Sequence, residues 1–590
     1  LGPRICDDRA MTGSPLDTEV VGPNAADDAP TPIGIAPRRS CARCLALLLL
    51  GAALADIGLA FLGLDPQAQI GFEQLVLFAV LGLYALGFAA AFNAVAAEGV
   101  AASAAAVAAL VERRQRLLAA LLIGLGIAGA LLAVWTLRAF PNSGDEYDYL
   151  FEAKTFLAGR LWNPLPPLPA LFAHSWIVFL NGKWVASYPP GWPLLLAAVM
   201  SLGLPSWLAS PLCGGVLLFA VLKLGQKRDG ALGGVLAATL VAISPFFLFN
   251  AGSYFDHVPV AAAGLLFCWA ALAFLAHPRW PNAIAAGLAL GMIGLIRSQD
   301  AVLFGLPFAV EFLLRARRRH YRLAPAIALA GLPFLAALLL YNHAVYGSLI
   351  PNLNLESPDI RFGLFPVDDQ GHRLTPWHEL RFVVERVILL SSWSSLLLVL
   401  GYIAAFGFVA YRRRLDFLDF IFPVCVLGFM LVPFLGGNQY GPRYYFEGFP
   451  FLVLTVVSAL VPLLQESRFL RWRPLAVALL VAHGAACLAA MAVIVPFLRT
   501  VIDQRMDIYD QVQTRNLRNA VVVIHSSTGA ISPMGTFDLT RDGIAVDGRV
   551  LYVRDIPDQI EKLHRLLPDR QFYIYTRNPG DPKGSLRPLW

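Results

Sequence analysis

From residue 44 onward the chain is written in long apolar runs separated by short polar segments. The runs lie near 44–64, 72–96, 117–140, 206–224, 231–249, 258–276, 282–297, 300–315, 323–343, 386–410, 417–435, 448–465 and 474–496. Most are roughly 17 to 25 residues long, enough for a helix to cross about 30 Å of hydrocarbon. The shortest lean on flanking residues to complete the crossing. Backbone polar groups cannot stay unpaired in lipid, so the pattern predicts about thirteen transmembrane α-helices. Both ends depart from it. Residues 1–40 lack apolar periodicity and are rich in Pro, Asp, Gly and Thr, as a disordered segment is. In the last stretch, 497–590, NAVVVIH (519–525), RVLYVRD (549–555) and RQFYIYTR (570–577) read as strands and IPDQIEKLHRLL (556–567) as a helix. A small α/β domain is expected there.

Composition agrees with the pattern. The 590 residues are 57% hydrophobic and 15% charged, and mean hydropathy is +0.62. A soluble fold cannot hide that much apolar surface, so an α-helical polytopic membrane protein is expected. The net charge of +6 is no nucleic-acid signal, because the basic residues gather in short loops. Arg38, Arg39 and Arg43 precede the first run, and Arg113, Arg114 and Arg116 the third. Lys227 and Arg228 follow the fourth; Arg315, Arg317, Arg318 and Arg319 the eighth; Arg412, Arg413 and Arg414 the tenth; Arg468, Arg471 and Arg473 the twelfth. All fall on one side if the N-terminus is cytoplasmic. Segments 141–205, 344–385 and 497–590 are then expected outside the cytoplasm. Met11 is a candidate initiator, and the first apolar run is too long and too late for a cleaved signal peptide. Cys213, Cys268, Cys425 and Cys487 lie in apolar runs as small core residues. Cys41 and Cys44 form a lone CxxC without a second ligand pair, so no zinc site is expected.

The candidate chemistry begins at SGDEYDYLFE (143–152). Ser143 and Glu146 have the spacing of a capping box. Asp145, Asp148, Glu152 and Thr155 then share one helical face, which predicts an amphipathic helix lying flat on the membrane surface. Asp145 and Glu146 also stand side by side at a membrane boundary, and Asp256 lies in a short loop, SYFDHVP (253–259), on the same side. Acids at such a depth are costly unless they work, and acids converging from two loops can serve as a general base and its partner. Arg297, between two short runs, and Arg443, in GNQYGPRYYFEGFP, add cations suited to holding a phosphate. The alternative for each is a snorkelling surface arginine. Acids that take a proton, arginines that hold a phosphate and access from lipid together point to chemistry on a lipid-linked phosphate.

GDEYDYLFEAKTFLAGRLWNPLPP (144–167) followed by SYPPGWPLLLA (187–197) resembles the first outer loop of the GT-C glycosyltransferases. The likeness is to bacterial protein O-mannosyltransferases, lipid A aminoarabinose transferases and lipopolysaccharide galacturonosyltransferases. It continues through LLYNHAVYGSLIPN (339–352) and GPRYYFEGFPFLVL (441–454), and covers roughly residues 117–465. It implies a GT-C-like catalytic domain over 117–496, two additional helices in 41–116, and a bacterial inner (plasma) membrane location with a periplasmic C-terminal domain. It also implies an inverting transfer of sugar from a polyprenyl-phosphate carrier to an extracytoplasmic glycan, lipid or protein. Asp145, with Glu146 beside it, takes the place of the catalytic base, and Asp256 that of an assisting acid. Arg297 and Arg443 would hold the donor phosphate. His257, Tyr188, Tyr444, Tyr445 and Asn342 are candidates for the substrate cavity. Asp148 is a further acid that the family often lacks, and His257 stands where many relatives have a small residue. No cofactor is required on this reading; the alternative is a divalent cation on Asp145, Glu146 and Asp256. The rival from another class is a lipid-linked sugar flippase or transporter, which should show an internal symmetry that the two halves of this chain lack. A third alternative pairs a recognition module in the tail with an inactive transferase.

Overall fold

A computed structural model describes residues 97–350, 373–431, 437–525, 539–578 and 581–590, apart from residue 175, together with residue 367. The segment 1–40, the runs expected near 44–64 and 72–96, and Cys41 and Cys44 lie outside the described residues. In chain order the helices are α1 (Ala97–Thr136), α2 (Gly144–Leu157), α3 (Gly191–Ser201), α4 (Ala209–Ala242), α5 (Pro245–Ala251), α6 (His257–Ala276), α7 (Trp280–Ile296) and α8 (Ser298–Arg315). They continue as α9 (Arg318–Tyr346), α10 (Pro376–Trp393), α11 (Leu396–Tyr411), α12 (Phe417–Phe429), α13 (Phe449–Gln465) and α14 (Arg473–Thr514), and α15 (Pro557–Leu566) lies in the tail.

Five of the described helices are long and apolar enough to cross a membrane, or six if α10 and α11 form one broken span. The runs near 282–297, 417–435 and 448–465 form helices of 17, 13 and 17 residues, shorter than full crossings. The run 386–410, expected as one span, is broken. α10 and α11 meet at 117° around Ser394 and Ser395. Serine hydroxyls bond backbone carbonyls and compete with the helix ladder; here Ser391, Ser392 and Ser394 donate to Val387, Leu389 and Leu390 carbonyls. The runs near 206–224 and 231–249 join in α4 through a bend at Asp229 and Gly230, where Gly230 has φ 74°. Pro245 then starts the short α5. α4 and α6 form the centre, each with 67% of its apolar window buried, whereas α9 has 17% and faces outward.

Two sheets lie at the end of the bundle that carries α2. The first has the antiparallel order β1 (Asn163–Pro164), β3 (Lys183–Ala186), β2 (Ile177–Leu180). The second has the order β5 (Val550–Arg554), β4 (Ala520–Ile524), β6 (Gln571–Thr576), β7 (Ser585–Pro588). β4 runs parallel to β5 and β6, with α15 crossing over between them, and β7 closes the edge antiparallel. β4 is buried at every residue, the pattern of a strand covered on both faces. α14 runs unbroken from the bundle to Thr514 and leads into this sheet.

The two sheets share one core. Tyr147 and Phe151 of α2, Phe172, Ile177 and Trp184 pack with Val521, Val523, Leu551, Val553 and Phe572 of the tail. This corrects the expectation that α2 lies flat on a membrane surface with one solvated face. Residues 144–153 of α2 are all buried, the charged face included. The lead-in to α2 is clamped as well. Arg138 makes a paired contact of 2.8 Å with Asp510 of α14, Arg505 donates to Asn142 Oδ1 at 2.9 Å, and Thr540 donates to the Ala173 carbonyl at 2.7 Å.

α3 is held against α7 by close backbone approach at Gly191, where an added Cβ would lie 2.7 Å from the Leu295 carbonyl. Gly191→Ala therefore forces α7 away, two residues before Arg297. Overpacking of this kind costs about 1–3 kcal/mol, and the expected result is a lower unfolding temperature in a thermal-shift assay with proper membrane insertion retained.

Candidate active site

The first turn of α2 places two adjacent acids in different settings. Ser143 caps the helix: its Oγ accepts from Glu146 N at 3.2 Å, and Glu146 Oε2 accepts from Ser143 N at 2.9 Å. Glu146 Oε1 accepts the Tyr254 N–H at 2.9 Å, across the turn that precedes α6. Both oxygens are committed to backbone and the residue is fully buried. Burial pushes its carboxyl up to about 7, against the pull of the Tyr254 amide. Glu146 is thus a clasp between two segments.

Asp145 faces another way. Arg443 Nη2 donates to its Oδ2 at 3.1 Å, and the Tyr188 hydroxyl donates to its Oδ1. Arg443 comes from a tight turn in which Tyr440 and Gly441 have positive φ, and its own N–H donates to the Gly437 and Gly441 carbonyls. Its guanidinium lies 4.1 Å from the centre of the Phe255 ring, a cation–π contact. Its Nε is buried without a partner among the described residues. Tyr188 precedes two prolines, which hold that stretch extended ahead of α3.

A second group surrounds Arg297 at the break between α7 and α8. Arg297 donates through Nη1 to Asp256 Oδ1 at 3.1 Å and through Nε to Asp300 Oδ2 at 2.7 Å. His257 Nδ1 lies 2.7 Å from Glu447 Oε1, and Arg297 Nη1 lies against the same imidazole. Burial raises the Glu447 carboxyl to about 8, opposed by the Arg297 charge. Phe255 joins the groups, with Arg443 over one side of its ring and His257 at 5.8 Å. Tyr444 stacks on Phe429 at 4.9 Å and stands 6.2 Å from His257. Tyr445 points into the core against Phe422.

Beside Tyr188 opens a cavity of about 320 Å³. Leu335, Leu338, Leu339 and Asn342 of α9 form one wall, and Tyr188, Pro189 and Ser298 the other. Asn342 is there committed to the Leu349 carbonyl at 3.1 Å. The cavity is mostly aliphatic, lies on the outward-facing helix α9, and reaches the charged groups through Tyr188.

The structure therefore brings Asp145, Arg443 and Tyr188 together, and Asp256, His257 and Arg297 together. Glu146 stays behind them. Asp145, Glu146 and Asp256 do not converge on a common point, and among the described residues no three His, Cys, Asp or Glu side chains form a group fit to hold a metal ion. The sequence reading missed Asp300 and Glu447. Asp300 was signalled by its i+3 spacing from Arg297, and Glu447 by an acid in an otherwise apolar segment.

Among solved structures the chain is similar to ArnT from Cupriavidus metallidurans bound to undecaprenyl phosphate. The TM-score is 0.50 at 10% identity, covering 79% of this chain and 97% of that one. The apo state of that protein aligns with TM-score 0.46 at 11% identity over 78% and 96% of the two chains. The Archaeoglobus fulgidus oligosaccharyltransferase in complex with Zn and sulfate aligns with TM-score 0.44 at 14% identity over 71% and 62%. No family model and no curated protein sequence matches the chain. The likeness shows that the chain shares its overall fold with that ArnT structure.

Behind Asp145, Asp148 and Glu152 are also buried. Glu152 Oε1 accepts the Tyr341 hydroxyl at 2.7 Å, and Asp148 Oδ2 accepts the Ser187 N–H at 3.2 Å. Burial pushes Glu152 from 4.5 up to about 8 and Asp148 well above the usual carboxylate range, with Glu152 adding to the latter. A raised folded value means that the folded state keeps protons the unfolded chain has released. Stability from these groups falls as pH rises between about 4.5 and 8. The expected outcome is an unfolding temperature that drops across this window in the wild type and drops less in Glu152→Gln, read by a thermal-shift pH series.

Proposed function

We propose that the protein is an inverting membrane glycosyltransferase that moves a sugar from a polyprenyl-phosphate carrier to an acceptor outside the cytoplasm. The observation that carries the proposal is the Asp145–Arg443 pair, largely enclosed beside an aliphatic cavity walled by the outward-facing helix α9. The GT-C fold, and a neighbour in which undecaprenyl phosphate is bound, support the same class of donor.

Asp145 is the general base. It takes the proton of an acceptor hydroxyl as that oxygen bonds to the anomeric carbon, and the bond from that carbon to the phosphate oxygen breaks. The polyprenyl phosphate leaves from the opposite face, so the anomeric configuration inverts. Arg443 receives the charge that develops on the leaving phosphate. Its unpartnered Nε and its single carboxylate contact leave it donors to spare. Arg297 is already held between Asp256 and Asp300, and it positions the loop that carries Phe255 and His257 rather than gripping the phosphate by itself. Tyr188 fixes the orientation of Asp145. Glu146 holds α2 and is not the base. The tail domain covers the outer loop and lies outside the cytoplasm with it, as the basic-loop pattern expects.

Purified protein incubated with a labelled polyprenyl-phosphate sugar and acceptor should release free polyprenyl phosphate. Asp145→Asn should lower that release about 10²–10⁴-fold, while the variant still inserts in the membrane and binds the donor at least as tightly as the wild type. Sugar donor crossing the membrane without any release would favour the flippase instead. Full turnover in Asp145→Asn would remove Asp145 from the mechanism.

A further inference from the structure

At the far end of the bundle from the acids lies a second cavity, of about 700 Å³. α7 links the two ends: it begins at this cavity with Trp280 and ends beside Arg297. Its 17 residues rise about 25 Å at 1.5 Å each. The cavity is lined by Arg279, Trp280, Pro281, Arg318, Arg319, Arg322 and Leu323.

Three features make it more than a stretch of basic loop. The first is charge without compensation. Among the described residues, none of the four arginines makes an ion pair, whereas Arg315 in the same region holds Glu311 at 2.9 Å. The second is construction. The arginines come from two separate chain segments, joined because α7 and α9 pack side by side in the same direction. Gly287 and Gly291, spaced as GxxxG, permit that contact. A Cβ on Gly287 would lie 2.2 Å from the Ile327 carbonyl, and one on Gly291 3.0 Å from Gly331 Cα. Both helix N-termini therefore open at the cavity and add positive field to the arginines. The third is the flank. Above the arginines the paired helices expose Ile284, Leu288, Leu329 and Leu332, and Trp280 is 56% exposed at the boundary. Aliphatic flank, boundary tryptophan and arginine cluster follow the order of acyl chain, interface and headgroup in one leaflet.

We infer that this cavity binds the phosphate-bearing headgroup of an anionic phospholipid, its acyl chains lying along α7 and α9. Basic loops are expected on the cytoplasmic side of any membrane protein. A pocket between two helices with four unpaired guanidinium groups and an apolar exit suits an anionic headgroup specifically. The site is separate from the proposed transfer chemistry, and its test does not depend on turnover.

The experiment uses the purified full-length protein in neutral detergent micelles, titrated with phosphatidylglycerol, phosphatidylcholine or inorganic phosphate while unfolding temperature is followed. Phosphatidylglycerol should raise that temperature saturably, and the other two should not. Arg318→Gln/Arg322→Gln should bind phosphatidylglycerol roughly 30-fold more weakly. Arg549→Gln/Arg565→Gln, with the same loss of charge on the tail, should bind as the wild type does. The substituted arginines are all exposed, and among the described residues only Arg565 is in an ion pair, a surface contact of 3.7 Å with Glu561, so folding should survive. The inference is overturned if the pocket variant titrates like the wild type, if the tail variant weakens equally, or if inorganic phosphate gives the same shift as the lipid.

Discussion

A charge removed from water must find a partner, and in this protein the partner of Asp145 comes from 298 residues away. The Asp145–Arg443 pair joins the first large loop to the turn before α13. Breaking a buried pair by removing one member costs about 3–5 kcal/mol, because the other charge is left uncompensated. The same pair is the point where a phosphate could compete. An anion on the remaining donors of Arg443 would share its charge with Asp145 and leave the carboxylate less compensated. On the proposed function, this one contact holds the loop before substrate arrives and frees the base when it does.

The remaining structure serves to keep that contact in place. Glu146 ties the first turn of α2 to Tyr254, and Ser143 closes the cap. Trp192 of α3 donates to the Tyr254 carbonyl at 2.7 Å from the other side. The tail sheet packs on α2 through Val521, Val523 and Phe572, and α14 grips Arg138 just before it. The acids 148 and 152 lie deeper, with hydroxyl and amide donors in place of cations. Burial without a cation favours the protonated form, so they add little charge next to Asp145.

Much of this was legible in the residue pattern, and the failures have physical causes. Apolar runs located α1, α4, α6 and α9, the S-x-x-E spacing located the cap of α2, and short runs rich in β-branched and aromatic residues located β4, β5 and β6. The break at Ser394 and Ser395 was visible as four serines in an apolar run, but composition averaged over the window hid it. The burial of α2 could not be read from α2 at all. A charged helical face looks the same whether water or a distant sheet covers it, and here the cover comes from Val521, Leu551 and Phe572. For the same reason the pattern offered Asp145 and Glu146 as equals. Only their partners separate them: an arginine and a tyrosine for one, two backbone amides for the other. The pattern offers Arg297 as a phosphate-holding cation and does not show that Asp300 and Glu447 already surround it.

The central claim is that Asp145 and a carrier phosphate compete for Arg443. A double-mutant cycle on polyprenyl phosphate affinity tests it, using the wild type, Asp145→Asn, Arg443→Gln and the double variant. The account predicts tighter binding in Asp145→Asn, weaker binding in Arg443→Gln, and no further tightening by Asp145→Asn once Arg443 is replaced. An Asp145→Asn effect of the same size in both backgrounds, or none in either, would contradict it.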